Sequence, residues 1–387
     1  MRLTYTKIIA ALLLLLSTAV GHSQQQEIEV LEGLGLENIR VVKDGSVSYI
    51  ALEDNVYRGV ARGVAKVVDA LYGVDSTQTY NLLIEEDGVA RVAIAASSKS
   101  DITASNDTEY LVDKLRGEKV HNSSFGRLAI VFYPELFLEN SWYDKLYGVA
   151  VNISPAAELS LWPGAMFTAQ VVIPIYTNMQ DEKQYIRPGV IAFRQDLRLM
   201  NQLYGSISIG NFTDDRMGID ATLDYYTKDG SWNFGARAGL TGSSTFYGGE
   251  WVVSIWRRVT WSGWTSYYVP RYNLAIKGEA MQMIYGDVGV RGSLQRYFKD
   301  VSIGLYAMIT GGYTNGGFTF SAPLPGKRRS KRDRRVEVTY PEYFTRVYRA
   351  RNGVEALKGF SYETSPDAGS FGNFYNPQHI NNYINQF

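Results

Sequence analysis

The chain has 387 residues, 39 Lys plus Arg against 39 Asp plus Glu, and no cysteine. Formal neutrality argues against a general nucleic-acid binder, whose footprint is basic. The lack of cysteine excludes disulfides, so the fold must hold by packing and backbone pairing alone. The 28 Tyr, 16 Phe, 7 Trp and 37 Gly are the enrichment expected of a membrane barrel, with aromatic girdles at both interfaces and small residues where strands bend or crowd.

In chain order, Arg2 and Lys7 flank the start of an apolar run over Ile8 to Leu16, and Gly21 and Ser23 supply small residues before Gln24. Residues 1–23 read as a secretory signal peptide. The apolar run is too short for a membrane helix, which needs about 20 residues.

Residues 24–98 read as a small α/β domain. A short helix over Glu29 to Leu36 ends at Gly35. Strands over Asn38–Lys43 and Val47–Leu52 flank the turn signal Asp44-Gly45. Val56, Val60, Val64, Val67, Val68 and Leu71 recur at helical spacing, closed by Gly73. Tyr80–Ile84 and Val89–Ala95 form a second hairpin about Asp87-Gly88. Residues 99–124 open with a polar run and read as a linker, with a short amphipathic stretch at Glu109 to Leu115.

Residues 125–387 change character. Ile219, Ala221, Leu223 and Tyr225 alternate with Asp220, Thr222, Asp224 and Tyr226. After a turn, Trp232, Phe234, Ala236, Ala238 and Leu240 alternate with Asn233, Gly235, Arg237 and Gly239. The same dyad sets Val288, Val290 and Leu294 against Asp287, Arg291 and Gln295, and Val301, Ile303, Leu305, Ala307 and Ile309 against polar or small partners. Such strands, joined by tight turns, predict an antiparallel transmembrane β-barrel of an even number of strands, about 10 to 14. A large soluble sandwich also alternates, but no second sheet is evident to cover the apolar face. Trp232, Trp251, Trp256, Trp261 and Trp264 fall near strand ends or turns, where a girdle places them. Phe387, preceded by Tyr383 and Ile384, reads as the terminal aromatic of a last amphipathic strand.

If the apolar faces meet lipid, Arg194, Asp196, Arg198, Asp220, Asp224, Arg237, Asp287 and Arg291 face the lumen. They serve either a hydrated passage or a set of paired charges that rigidify the wall, and their mixed signs favour pairing. The run Lys327, Arg328, Arg329, Lys331, Arg332, Arg334 and Arg335 follows Pro323-Leu324-Pro325-Gly326. It is either an anion-binding loop or a solvated connection. Catalytic signatures are missing: His121 and His379 are far apart and lack ligand-spaced neighbours, and no nucleophile elbow or phosphate loop occurs. The expectation is no enzyme, no metal and no cofactor.

The stretches Leu34-Gly35-Leu36-Glu37-Asn38-Ile39-Arg40-Val41 and Tyr49-Ile50-Ala51-Leu52-Glu53-Asp54-Asn55-Val56-Tyr57-Arg58 resemble the opening unit of the YjbH-like family of outer-membrane exopolysaccharide proteins. Ile303-Gly304-Leu305-Tyr306, through Gly316-Gly317-Phe318-Thr319-Phe320-Ser321-Ala322-Pro323-Leu324, is similar to a barrel strand of that family. The resemblance implies an outer-membrane barrel, with its N-terminal domain in the periplasm, that supports polysaccharide export or passage. It transfers no catalytic residue. Expected partners are outer-membrane lipid, an anionic polysaccharide and other envelope export proteins, not nucleic acid. The alternatives are a non-conducting envelope scaffold or secretion accessory, and a barrel enzyme acting on lipid or sugar.

Overall fold

The fold is that of a computed structural model describing residues 24–140, 147–179, 184–247, 249–254, 258–325, 336–349, 358–367 and 372–387. The expected signal peptide, Trp256 and the basic run at 327–335 lie outside the described residues. The protein is mainly β, and among the described residues no helix is long and apolar enough to cross a membrane.

The N-terminal unit begins with α1 (24–34) and carries a five-stranded sheet of β1 (Glu37–Asp44), β2 (Val47–Glu53), β3 (Thr79–Glu86), β4 (Val89–Ala96) and β5 (Ile102–Ser105), in that order. Gly45 and the pair Asp87-Gly88 take the positive φ that tight hairpins require. Between β2 and β3 the chain crosses over through α2 (Val60–Val74), which lets the two strands pair in parallel. The helix buries Val64, Val67, Val68 and Leu71 against Ile50, Leu82 and Ile94 of the sheet.

The stretch read as a linker belongs to this unit in part. Ile102 anchors β5 to the sheet edge beside β4, and α3 (Glu109–Lys114) buries Leu111 and Leu115 with Leu83 and Ala90 in a second, smaller apolar cluster. A few apolar residues in a polar run sufficed for burial, which a reading by composition overlooks.

The second sheet has 15 strands: β6 (Leu128–Asn140), β7 (Tyr147–Trp162), β8 (Ala165–Thr177), β9 (Arg187–Met200), β10 (Leu203–Phe212), β11 (Arg216–Tyr226), β12 (Trp232–Tyr247), β13 (Glu250–Val253), β14 (Arg258–Val269), β15 (Leu274–Gln282), β16 (Val288–Phe298), β17 (Val301–Thr310), β18 (Tyr313–Pro323), β19 (Val336–Thr339) and β20 (Tyr343–Arg349). Among the described residues, and leaving aside the short β13 and β19, thirteen strands follow one another in antiparallel order. That number is odd. The first and last strands therefore run in the same direction, and β19 pairs with the start of β6 in parallel. The sheet is rolled, because Arg346 of β20 lies over the Phe137 ring of β6 at 5.7 Å, but β6 and β20 form no ladder with each other among the described residues.

Burial in this wall is inverted relative to a soluble protein. Ile219, Leu223, Phe234, Leu240, Val288, Val290, Ile303, Leu305 and Ile309 are exposed, while Asp220 is 4% exposed and Asp196, Ser208 and Gln295 are also buried. Alternation along β11, β12, β16 and β17 sends apolar side chains outward and polar or small ones inward.

The end of the chain departs from expectation. Residues 377–383 form a helix, α4 (Pro377–Tyr383), and not a last strand. Asn376 caps it by accepting from the Gln378 N–H at 2.8 Å, and Pro377 takes the first helical position. Ile380 and Ile384 are buried in the core of the N-terminal unit.

Candidate functional site: a filled polar interior

The N-terminal unit covers one end of the rolled sheet, called here the near end. The tip of the β3–β4 hairpin meets the β7–β8 turn, where the Gly164 N–H donates to the Asp87 carbonyl at 2.6 Å. A Cβ on Gly88 would press on Phe125 and Pro163, so glycine serves both the turn and the close approach. Further ties are the Lys228–Asp107 pair at 2.8 Å, Asn201 donating to Asp107 at 2.8 Å and the Arg62–Asp300 pair at 2.6 Å.

Of the polar side chains expected in the lumen, all but Asp287 lie on strands, and each has a hydrogen-bond or ion-pair partner. Nearest the N-terminal unit, Arg194 pairs with Asp196 at 2.7 Å and with Asp87 at 3.5 Å. Arg198 donates to Asn201 at the near-end turn, at 3.3 Å. Arg91 of β4 reaches into the same group, pairing with Glu86 at 2.8 Å and Asp196 at 3.8 Å and stacking over the Tyr204 ring. Farther along, Asp224 accepts from Asn233 at 3.1 Å. Arg291 pairs with Glu279 at 2.6 Å, and Lys277 reaches the same carboxylate at 3.5 Å. Asp220 and Arg237 pair at 2.9 Å. Asp287, in the turn before β16 at the far end, accepts from the Gly359 N–H at 2.9 Å and from the Thr310 hydroxyl.

Sequence reasoning missed Arg91, Lys277, Glu279 and Trp264. Lys277 and Glu279 share parity on β15, a short strand of mixed pattern that gives little signal. Trp264 was expected in a girdle. It points inward instead, donating to Asn233 at 2.9 Å, with Lys277 4.5 Å from its ring. The space for it comes from Gly235 on the neighbouring strand, where a Cβ would collide with the indole. Trp232, Trp251 and Trp261 are exposed, and Trp232 packs on Tyr267 at 4.7 Å on the outer face.

The interior also holds the chain's own tail. At the far end, the Ile284 N–H donates to the Phe360 carbonyl at 3.1 Å, and Thr213 and Glu363 exchange two hydrogen bonds. Tyr362 packs with Val190, Ala192, Phe212 and Ile284. At the near end, Phe374 stacks on Tyr343 at 4.7 Å, and Asn376 donates to the Gly230 carbonyl at 2.7 Å. Of the tail, residues 358–367 thus lie against the far end of the wall, and residues 372–387 lie at the near end beside the N-terminal unit. The second stretch includes α4, where burial among Tyr268, Tyr297 and Phe374 pushes the His379 imidazole down to about 4. Among the described residues, no group of three or more His, Cys, Asp or Glu is placed to hold a metal ion.

No family model and no curated protein matches the sequence. Among solved structures, the chain is similar to OmpTdeltaL8, a loop L8 deletion mutant of OmpT, an outer membrane protein of Vibrio cholerae. The TM-score is 0.28 and the identity 9%, over 50% of this chain and 87% of that one. The expectation that the chain is not an enzyme does not stand: it rested on missing sequence motifs alone, and missing motifs do not exclude catalysis.

Proposed function

We propose that this chain is an outer-membrane β-barrel, closed by its own tail and covered on the periplasmic side by its N-terminal unit, that supports export or passage of an extracellular polysaccharide. The observation that carries the membrane reading is the inverted wall. Leu305 is 63% exposed and Val290 59%, within a continuous apolar outer face. Monomeric soluble proteins rarely expose contiguous apolar patches beyond a few hundred Å², whereas lipid requires such a face.

The polysaccharide reading is supported by the interior and by the resemblance to YjbH-like proteins. Charges of both signs are paired, so no ring of one sign marks ion selection. Tyr204, Tyr226, Trp264 and Tyr306 lie among them, offering flat apolar faces beside hydrogen-bonding groups. Deleting the gene in its host should reduce secreted polymer. Normal secretion in the deletion strain, with envelope integrity unchanged, would remove this reading. The basic run at 327–335 belongs to it as a capture loop for anionic polymer. Replacing Arg328, Arg329, Arg332 and Arg334 with Gln should lower secretion at unchanged protein level.

A specific observation, the tail in the interior, favours the second reading of a non-conducting envelope scaffold. Planar-bilayer recordings decide between the two. A barrel that stays closed both as the parent and with Tyr362 replaced is a scaffold.

A further inference from the structure

Tyr362 sits on the tail in a setting made almost wholly by the wall. Its ring stacks on Phe212 of β10, with centroids 5.5 Å apart and planes 7° from parallel. The Arg237 guanidinium of β12 lies 4.7 Å from the ring centroid. The Tyr362 hydroxyl donates to Asp220 of β11 at 2.6 Å and lies 3.2 Å from the Thr260 hydroxyl of β14. Arg237 holds Asp220 and donates to the Tyr362 carbonyl at 3.1 Å. The wall also makes room: a Cβ on Gly239 would collide with the Tyr362 hydroxyl. Phe212 and Asp220 are 2% and 4% exposed.

Four adjacent strands thus provide a flat aromatic floor, a guanidinium, a carboxylate with its charge already balanced and a hydroxyl, all directed at one ring bearing one hydroxyl. A sugar ring presents the same features, an apolar face of C–H groups and hydroxyls at its rim. The carboxylate and guanidinium suit such hydroxyls, because hydrogen bonds to charged groups are the strong ones. The Asp220–Arg237 pair is neutral overall, and the Glu363 carboxylate that also reaches Arg237, at 3.6 Å, belongs to the tail beside Tyr362, so the wall by itself fits an uncharged ring better than an acidic one.

We infer that Phe212, Asp220, Arg237 and Thr260 form a binding site for a neutral sugar ring of the polymer, and that Tyr362 occupies this site as a built-in competitor when the barrel is closed. The inference rests on the polysaccharide reading above and adds the site and the sugar class.

The test uses the full-length protein in detergent, with Tyr362→Ala and the milder Tyr362→Phe, which removes only the hydroxyl. The probes are maltohexaose and a mannuronate hexamer, followed by calorimetry, with thermal unfolding as the check on folding. Tyr362→Ala should bind maltohexaose at least tenfold more tightly than the parent and more tightly than the acidic hexamer. Tyr362→Phe should show a smaller gain, and adding Phe212→Ala to Tyr362→Ala should abolish the binding. Should Tyr362→Ala not fold, the gain in Tyr362→Phe decides. A folded variant that binds neither hexamer, or binds the acidic one better, overturns the site. Failure of the export reading shows separately, as normal secretion in the deletion strain.

Discussion

Asn381 and Ala104 are joined by two hydrogen bonds across 277 residues of sequence. The Ala104 N–H donates to the Asn381 side-chain oxygen at 2.7 Å, and the Asn381 side-chain nitrogen donates to the Ala104 carbonyl at 3.4 Å. The amide thereby satisfies part of the outer edge of β5, which would otherwise be an open template for another strand. The C-terminal helix is in this sense a missing piece of the N-terminal unit.

Ile380→Ala should therefore destabilise the N-terminal unit and not only loosen the tail. Ile380 is fully buried, and truncating such a side chain typically costs about 2 to 5 kcal/mol. Thermal unfolding followed in the full chain tests it. A variant as stable as the parent would show that the contact contributes nothing. A fragment of residues 24–125 should likewise gain stability when a peptide of residues 372–387 is added in trans.

The outer face is tested by charge. Leu305→Arg, at the middle of β17, should lower barrel stability by about 2 to 4 kcal/mol if that position lies near the bilayer midplane. Leu305→Ile should be nearly neutral. Urea titration in lipid vesicles measures both. Equal behaviour of the two variants would mean that this face does not contact lipid.

Acidity should act on the N-terminal unit through Glu85. Burial raises its carboxyl from 4.5 to about 7, against the lowering effect of the Arg40 guanidinium that it pairs with. The folded state thus holds the proton more tightly than the unfolded chain does. Stability from this group is fully present below about pH 4.5 and is lost as pH rises towards 7. The total is on the order of 3 kcal/mol, since each tenfold gain in proton affinity is worth about 1.4 kcal/mol. Glu85→Gln should flatten this part of the stability profile, which chemical denaturation between about pH 4 and 8 reads directly. A profile unchanged by the substitution would assign the slope to other groups.

Gly235 tests the inward tryptophan. Gly235→Ala should displace Trp264 from its seat and break its bond to Asn233, with a cost of about 1 to 3 kcal/mol, typical of overpacking. Because Trp264 is half-buried in a polar interior, its displacement should also shift the tryptophan emission. An unaltered spectrum and unaltered stability would place Trp264 elsewhere.

The wall was legible in the sequence because a period of two is a local property: Ile219 to Tyr226 and Val301 to Thr310 declare their two faces without knowledge of the partner strand. The α2 stripe was legible for the same reason, at the helical period. Trp264 was not, because its direction is set by the glycine opposite it on β12, which sequence distance conceals. The last helix carried a readable signal in Asn376-Pro377, a capping residue followed by proline, but the terminal aromatic drew attention to a strand. The pairing of Asp220 with Arg237 follows from register and was within reach. The presence of Tyr362 between the wall strands was not, since nothing local in a polar tail says what it lies against.

The two described stretches of the tail, 358–367 at the far end and 372–387 at the near end, constrain assembly. Its helix is held in the core of the N-terminal unit, outside the rolled sheet at the near end, while Gly359 and Phe360 are held at the far end. A finished ring would have to receive the Tyr362 stretch into a space already bounded by Phe212, Asp220 and Thr260. A sheet still open along the seam between β6 and β20 could instead be laid around the tail and then shut. The seam, where two strands of like direction meet without a ladder among the described residues, is where the last movement of folding would take place. Tyr362 then serves as a peg about which the wall is wound.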